Sequence, residues 1–290
     1  MPLSVRFRSV LAMFSASVCL LVPAAMAQGA APSEFRWENS AEKGQADLLF
    51  GDRPVLRYMY ALDTSTKERA HETYKVYHHV FSPSTRKIIT KGPGGKYTHH
   101  RGMFVGFSKT GFEGRKLDFW HCNKGEKLRH VRFLEMAADA ETGRMAAEIH
   151  WTDPDGKPVI VETRTIVATA IEDGWQFDWS TTLTSRRGVI ELNGDRQHAG
   201  FQYRAAQAVA EENSATYVRP EGFPQQSEPY QVGGPVKHTG LNWFAMTYPL
   251  DGKTYRVTYF EAPGHVALLG TSIRPLRDVL PDDAFGRQAD

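Results

Sequence analysis

Cysteine is almost absent from this 290-residue chain, which holds only Cys19 and Cys122. Cys19 lies in an N-terminal apolar run that reads as a removable export signal. The rest of the chain then keeps one thiol and can form no internal disulfide. An excess of charge of one sign is also lacking, with 35 Lys and Arg against 33 Asp and Glu. A near-neutral chain lacks the basic footprint of a nucleic-acid binder. Beyond the N-terminus no run is apolar enough to span a bilayer, which takes roughly 20 residues. Helical periodicity is weak, and no repeat or low-complexity linker stands out. No GxSxG elbow is present to offer a hydrolase-type serine nucleophile. HxH and HExxH spacings are missing, and Gly92-Pro93-Gly94-Gly95 is not followed by the Lys-Ser or Lys-Thr of a phosphate loop.

What is present begins with the signal. Arg6 and Arg8 precede an almost wholly apolar stretch from Val10 to Val22, and Ala25-Met26-Ala27 has the small-x-small cleavage pattern. Residues 1–27 are therefore expected to be removed, with Gln28 as the first mature residue and a periplasmic or secreted destination. The remaining residues hold 33 basic and 33 acidic side chains, since both Arg6 and Arg8 go with the signal. No further membrane segment is expected after cleavage. With 41% hydrophobic and 11% aromatic residues, enough apolar surface is available for a core without disulfides.

Residues 28–290 read as one all-β domain, an antiparallel sandwich, in which strand follows strand. The candidates are 53–60, 74–81, 103–107, 144–151, 159–167, 175–183, 201–204, 243–248 and 255–260. Val159 to Val167 is densest in β-branched residues, and Trp175 to Trp179 alternates apolar with polar. Asp153-Pro154-Asp155-Gly156, Glu172-Asp173-Gly174 and Asp251-Gly252 are turn signals, because Asp and Gly tolerate the backbone angles of tight hairpins. Tyr203 to Glu212 is the best helix candidate. Pro220 to Pro235 reads as a long loop, and 273–290 as an irregular charged tail.

Three motifs carry the candidate chemistry. In Gly94-Gly95-Lys96-Tyr97-Thr98-His99-His100-Arg101-Gly102, glycines allow close backbone approach. On a strand the two histidines would face opposite ways, and Arg101 offers a fork for a carboxylate or vicinal hydroxyls. In Leu117-Asp118-Phe119-Trp120-His121, an extended chain would put Asp118 and Trp120 on one face and Phe119 and His121 on the other. An aromatic wall beside a carboxylate suits a sugar. In the stretch from Asn193 to Arg204, alternation would put His198 and Gln202 on one face, with Asp195 just upstream. The expected roles are acid/base for His99, His100 and His198. Arg101, Asp118, Trp120, His121, Asp195 and Gln202 are expected to bind substrate. No cofactor and no metal is assigned, although His99 or His100 with His121 and His198 would supply three ligands if they converged.

His99-His100-Arg101-Gly102, then Asp118-Phe119-Trp120-His121, then Gly194-Asp195 with His198-Ala199-Gly200-Phe201 resemble the PmoA-like family of exported bacterial proteins. The resemblance runs from near Pro54 to about His265. It implies a β-supersandwich like that of the aldose epimerases and a carbohydrate context. The family usually closes with a further strand, which 273–290 does not match. Three readings follow. The first is an epimerase- or lyase-like enzyme on a sugar or sugar derivative. The second is a non-catalytic glycan-binding module. The third is a metal-dependent oxygenase-like protein, after the family's "methane oxygenase" label. The expected partner is a small molecule or glycan, not nucleic acid or membrane.

Overall fold

Strand-forming residues between Asp- and Gly-rich turns build sixteen strands and two short helices among the residues that this computed structural model describes, 34–185, 187–194, 198–222 and 243–260. In chain order they open with β1 (Phe35–Ser40), β2 (Gln45–Phe50), β3 (Arg53–Met59), α1 (Lys67–Thr73), β4 (Tyr77–Val80) and β5 (Met103–Phe107). Next come β6 (Lys109–Phe112), β7 (Arg115–Leu117), β8 (Lys127–Ala138), β9 (Thr142–Thr152), β10 (Pro158–Ile171) and β11 (Gly174–Ser185). The last are β12 (Ile190–Asn193), β13 (Ala199–Tyr203), α2 (Gln207–Glu212), β14 (Thr216–Val218), β15 (Trp243–Leu250) and β16 (Lys253–Phe260). The expected export signal, the tail, Asp195 and most of the 220–235 loop lie outside the described residues. Contacts divide the chain into Met1–Ala31 and Pro32–Asp290, and every described residue belongs to the second unit. Among the described residues no helix is long and apolar enough to cross a membrane.

The strands form an all-β, sandwich-like fold. A six-stranded sheet in the order β1-β2-β3-β4-β5-β13 packs across a four-stranded sheet in the order β11-β10-β9-β8. Two three-stranded sheets, β12-β6-β7 and β14-β15-β16, complete it. The paired strands are antiparallel. Side chains bind the two larger sheets: Trp37 Nε1 donates to the carbonyls of Ala137 and Arg144. His78 and Trp179 meet edge to face at 5.3 Å between centroids. Between them lies a core that includes Leu48, Leu56, Tyr58, Trp151, Ile166 and Phe107.

The hairpins fall where the turn residues stand. Asp153 to Gly156 closes β9 onto β10, and Asp251-Gly252 closes β15 onto β16, with positive φ at Gly156, Asp251 and Gly252. The 74–81 stretch differs from its expectation. Thr66 caps α1 by accepting from the Arg69 N–H, so Lys67–Thr73 turns helical and the strand starts only at Tyr77. Likewise the 203–212 candidate divides: Tyr203 ends β13, and the helix is confined to Gln207–Glu212.

Candidate functional site

Three segments of chain are tied to β5 and its partner β13. The Phe107 carbonyl accepts from the Phe119 N–H at 2.9 Å, and the neighbouring Ser108 N–H donates to the His198 carbonyl at 2.9 Å. The turn at 118–121 and the entry to β13 are thus hung from consecutive residues. The third segment is the loop from Lys91 to Gly102, tied to the end of β13 by Lys91 N–H to Arg204 carbonyl and Arg204 N–H to Gly102 carbonyl, both 2.9 Å.

Buried cations shape that loop. Lys91 donates its ammonium to the carbonyls of Gly92 (3.1 Å) and Gly94 (2.5 Å), while burial pulls its pKa down to about 8. Arg101 is fully enclosed and donates to the carbonyls of Thr98, His100 (2.9 Å) and His71 (2.9 Å). Its fork clamps the loop to α1. It was expected to read a ligand, but its side chain is turned away from solvent. Gly102 supplies the close approach, because a Cβ there would meet the His78 carbonyl oxygen at 2.0 Å. Gly102→Ala is expected to lower stability by about 1–3 kcal/mol, as overpacking does. Urea denaturation checks this, and a loss below about 0.5 kcal/mol would show that the loop shifts freely.

The 118–121 segment is a turn, not the extended strand expected from sequence. Asp118 makes it so. One carboxylate oxygen accepts from the N–H groups of Trp120 (2.9 Å) and His121 (2.8 Å), the usual local bonding of an aspartate at a turn. The other oxygen takes Nδ1 of His121 at 2.8 Å. Asp118 and His121, expected on opposite faces, are therefore partners. The hydrogen bonds to His121 draw the Asp118 carboxyl below its usual range, although burial works the other way.

The result is a cluster of three partly exposed imidazoles. Ring centroids lie 4.6 Å apart for His99 and His121, 4.9 Å for His121 and His198, and 5.9 Å for His99 and His198. One nitrogen from each ring lies within 4.8 Å of the other two. His99 Nε2 is buried with no hydrogen-bond partner. Burial, then the charge of Lys75, holds the His99 pKa down to about 2. His100 is buried behind it, with ring centroids 4.5 Å apart, and burial keeps it far below 6.5. An acid/base group works best with a pKa near the operating pH, so neither imidazole suits the proton transfer expected of it. Both are kept neutral, with lone pairs to offer.

The other expected residues divide. Trp120 has no exposed face. It packs with Tyr77 and Phe104 and meets His198 edge-on at 5.5 Å, so it is a wall and not a stacking platform. Gln202 is enclosed and donates to the Ala199 carbonyl at 3.4 Å. It lies within β13, whereas His198 precedes that strand. Lys75 was passed over in the sequence. It is buried beneath the cluster, donating to the Trp120 carbonyl at 2.5 Å and lying 4.0 Å from the Phe104 centroid. Burial lowers its pKa to about 7. Its only signal was a lone charge in the apolar run Tyr74-Lys75-Val76-Tyr77.

No curated protein and no solved structure matches this chain. A family model does match, over residues 45–270, and its description is "Family of unknown function (DUF6807)". The match takes in His99, Asp118, His121 and His198 together with the strands that position them. This chain belongs to the DUF6807 family of unknown function.

Proposed function

We propose that this is an exported protein whose three-imidazole cluster binds and transforms a small, hydroxyl-rich compound, a sugar or sugar derivative. The observation that carries the reading is the convergence of His99, His121 and His198 from three separated segments, all partly open to solvent. Neutral imidazoles accept hydrogen bonds from hydroxyl groups. Asp118 holds His121 in one tautomer and orientation, as a carboxylate does for the working histidine of a triad. The Arg6/Arg8 apolar leader supports export. The same contacts would also serve a binding module, so catalysis needs its own readout.

The experiment is a panel of monosaccharides, uronates and glycan fragments, read by thermal shift and by NMR of the products. The expected result is one ligand class that raises the melting temperature and is converted, with His121→Ala reducing turnover by a factor of 100 or more. Saturable binding without product would replace the enzyme by a glycan-binding module. No stabilisation by any member, or full turnover in both His121→Ala and His198→Ala, would end the proposal.

A further inference from the structure

We infer that His99, His121 and His198 together ligate one divalent transition-metal ion of the zinc and copper class. The inference rests on the reading above that this cluster is the working site.

The geometry is the first argument. A metal–nitrogen bond of about 2.0–2.1 Å in a tetrahedral site places imidazole centroids roughly 5 Å apart, and the three observed separations are 4.6, 4.9 and 5.9 Å. Bound nitrogens would lie roughly 3.4 Å from one another on the same bond length. The observed limit of 4.8 Å exceeds that value, so binding would draw the rings together.

The surroundings are the second argument. A ligating histidine almost always donates its other ring N–H to a carboxylate or carbonyl. His121 Nδ1 meets Asp118 at 2.8 Å, which leaves Nε2 for an ion. The same carboxylate is itself locked by two backbone N–H groups. His99 Nε2 is an orphaned buried polar atom, a costly arrangement without a partner, and an ion would resolve it.

The ligand set is the third argument. Three imidazole ligands and no thiolate favour zinc or copper over magnesium or calcium, which prefer oxygen. Cys122 is buried below the turn and is not part of the group. Three protein ligands leave a fourth position for water or substrate, the pattern of reactive rather than structural zinc sites.

The test uses the full chain, stripped with chelator, dialysed, and titrated with zinc and separately with copper in the absence of any sugar. Elemental analysis is expected to return one equivalent of bound metal, with a rise in melting temperature. Bound copper is expected to show nitrogen hyperfine structure from imidazole in its electron paramagnetic resonance spectrum, which needs no variant to fold. Asp118→Asn is expected to weaken metal binding by 10- to 100-fold. His99→Ala and His198→Ala are expected to abolish it, and His150→Ala, remote on β9 beside Glu148, to leave it unchanged. Less than a tenth of an equivalent for both metals overturns the inference, as does binding that persists in His99→Ala/His121→Ala/His198→Ala. Failure of every sugar to bind would sink the proposed function and leave the metal result standing.

Discussion

Glu162→Ala is expected to lower the folding stability by about 3–5 kcal/mol, the loss seen when one partner of a buried ion pair is removed. Glu162 and Arg164 are neighbours on β10 with fully buried side chains. One Glu162 oxygen accepts from Arg164 Nε at 2.7 Å, and the other accepts from Arg164 Nη2 at 3.0 Å and from Trp151 Nε1 at 2.8 Å. Thr181 on β11 adds a longer contact at 3.4 Å. The guanidinium lies over the Trp179 ring at 4.8 Å. Removing the carboxylate leaves a guanidinium in the core with no counter-charge, and strands the indole N–H as well. The pair itself adds little net stability, because desolvating two charges offsets their attraction. The double variant Glu162→Leu/Arg164→Met is therefore expected to lose far less than the single one. Chemical denaturation of both decides the matter. A single variant within 1 kcal/mol of the parent, or a double variant as damaged as the single, would refute the account.

Mild acid is expected to produce the second large effect. His78 and His79 sit on β4, which is buried along its whole length. Burial, reinforced by Arg57 and Arg101, brings the His79 pKa down to about 4. Burial and Arg164 push His78 well below 6.5. On β8, burial alone brings His130 to about 4. The unfolded chain binds these protons near pH 6.5 and the folded chain does not, so the unfolded state gains protons first as pH falls. Stability is full above pH 6.5 and drains away between 6.5 and about 4. For His79 the drop from 6.5 to about 4, at 1.36 kcal/mol per pKa unit, is worth about 3 kcal/mol. The other two act in the same direction. Carboxylates held below their usual range contribute only at lower pH, so the histidine window is separable. Melting temperature recorded from pH 7.5 to 4 is expected to fall steeply below 6.5, and His79→Gln to flatten that fall. A profile level down to pH 4.5 would contradict the assignment.

Many of the strands were legible in their residues, but β1, β2, β6, β7, β8, β12 and β14 were not. Met103 to Phe107 reads as a strand and is β5, and the runs over β9, β10, β11, β15 and β16 are legible because β-branched and aromatic residues stand between turn residues. β8 escaped notice. Its pairing with β9 shifts register at His130/Arg132 and again at Phe133/Glu135. Each irregularity resets which residues face the core, so period-two alternation never persists. α1 escaped too, being a seven-residue helix with no buried residue and so no apolar stripe to detect. The core arginine was equally hidden: Arg101 beside two histidines looks like an anion reader until its donors are found on three backbone carbonyls.

Sequence alone determined the chemistry on offer and the elements that carry it: an all-β chain, hairpins at Asp and Gly, and imidazoles in three separated motifs. Such features rest on local propensity and covalent order, which a short window of residues contains. Only the tertiary structure decided which imidazoles meet. That outcome depends on the 118–121 turn and β13 hanging from adjacent residues at the end of β5, and on Asp118 folding His121 back onto itself. The contact from Ser108 to His198 joins residues 90 positions apart in the chain, and no local pattern encodes an antiparallel pairing across that distance.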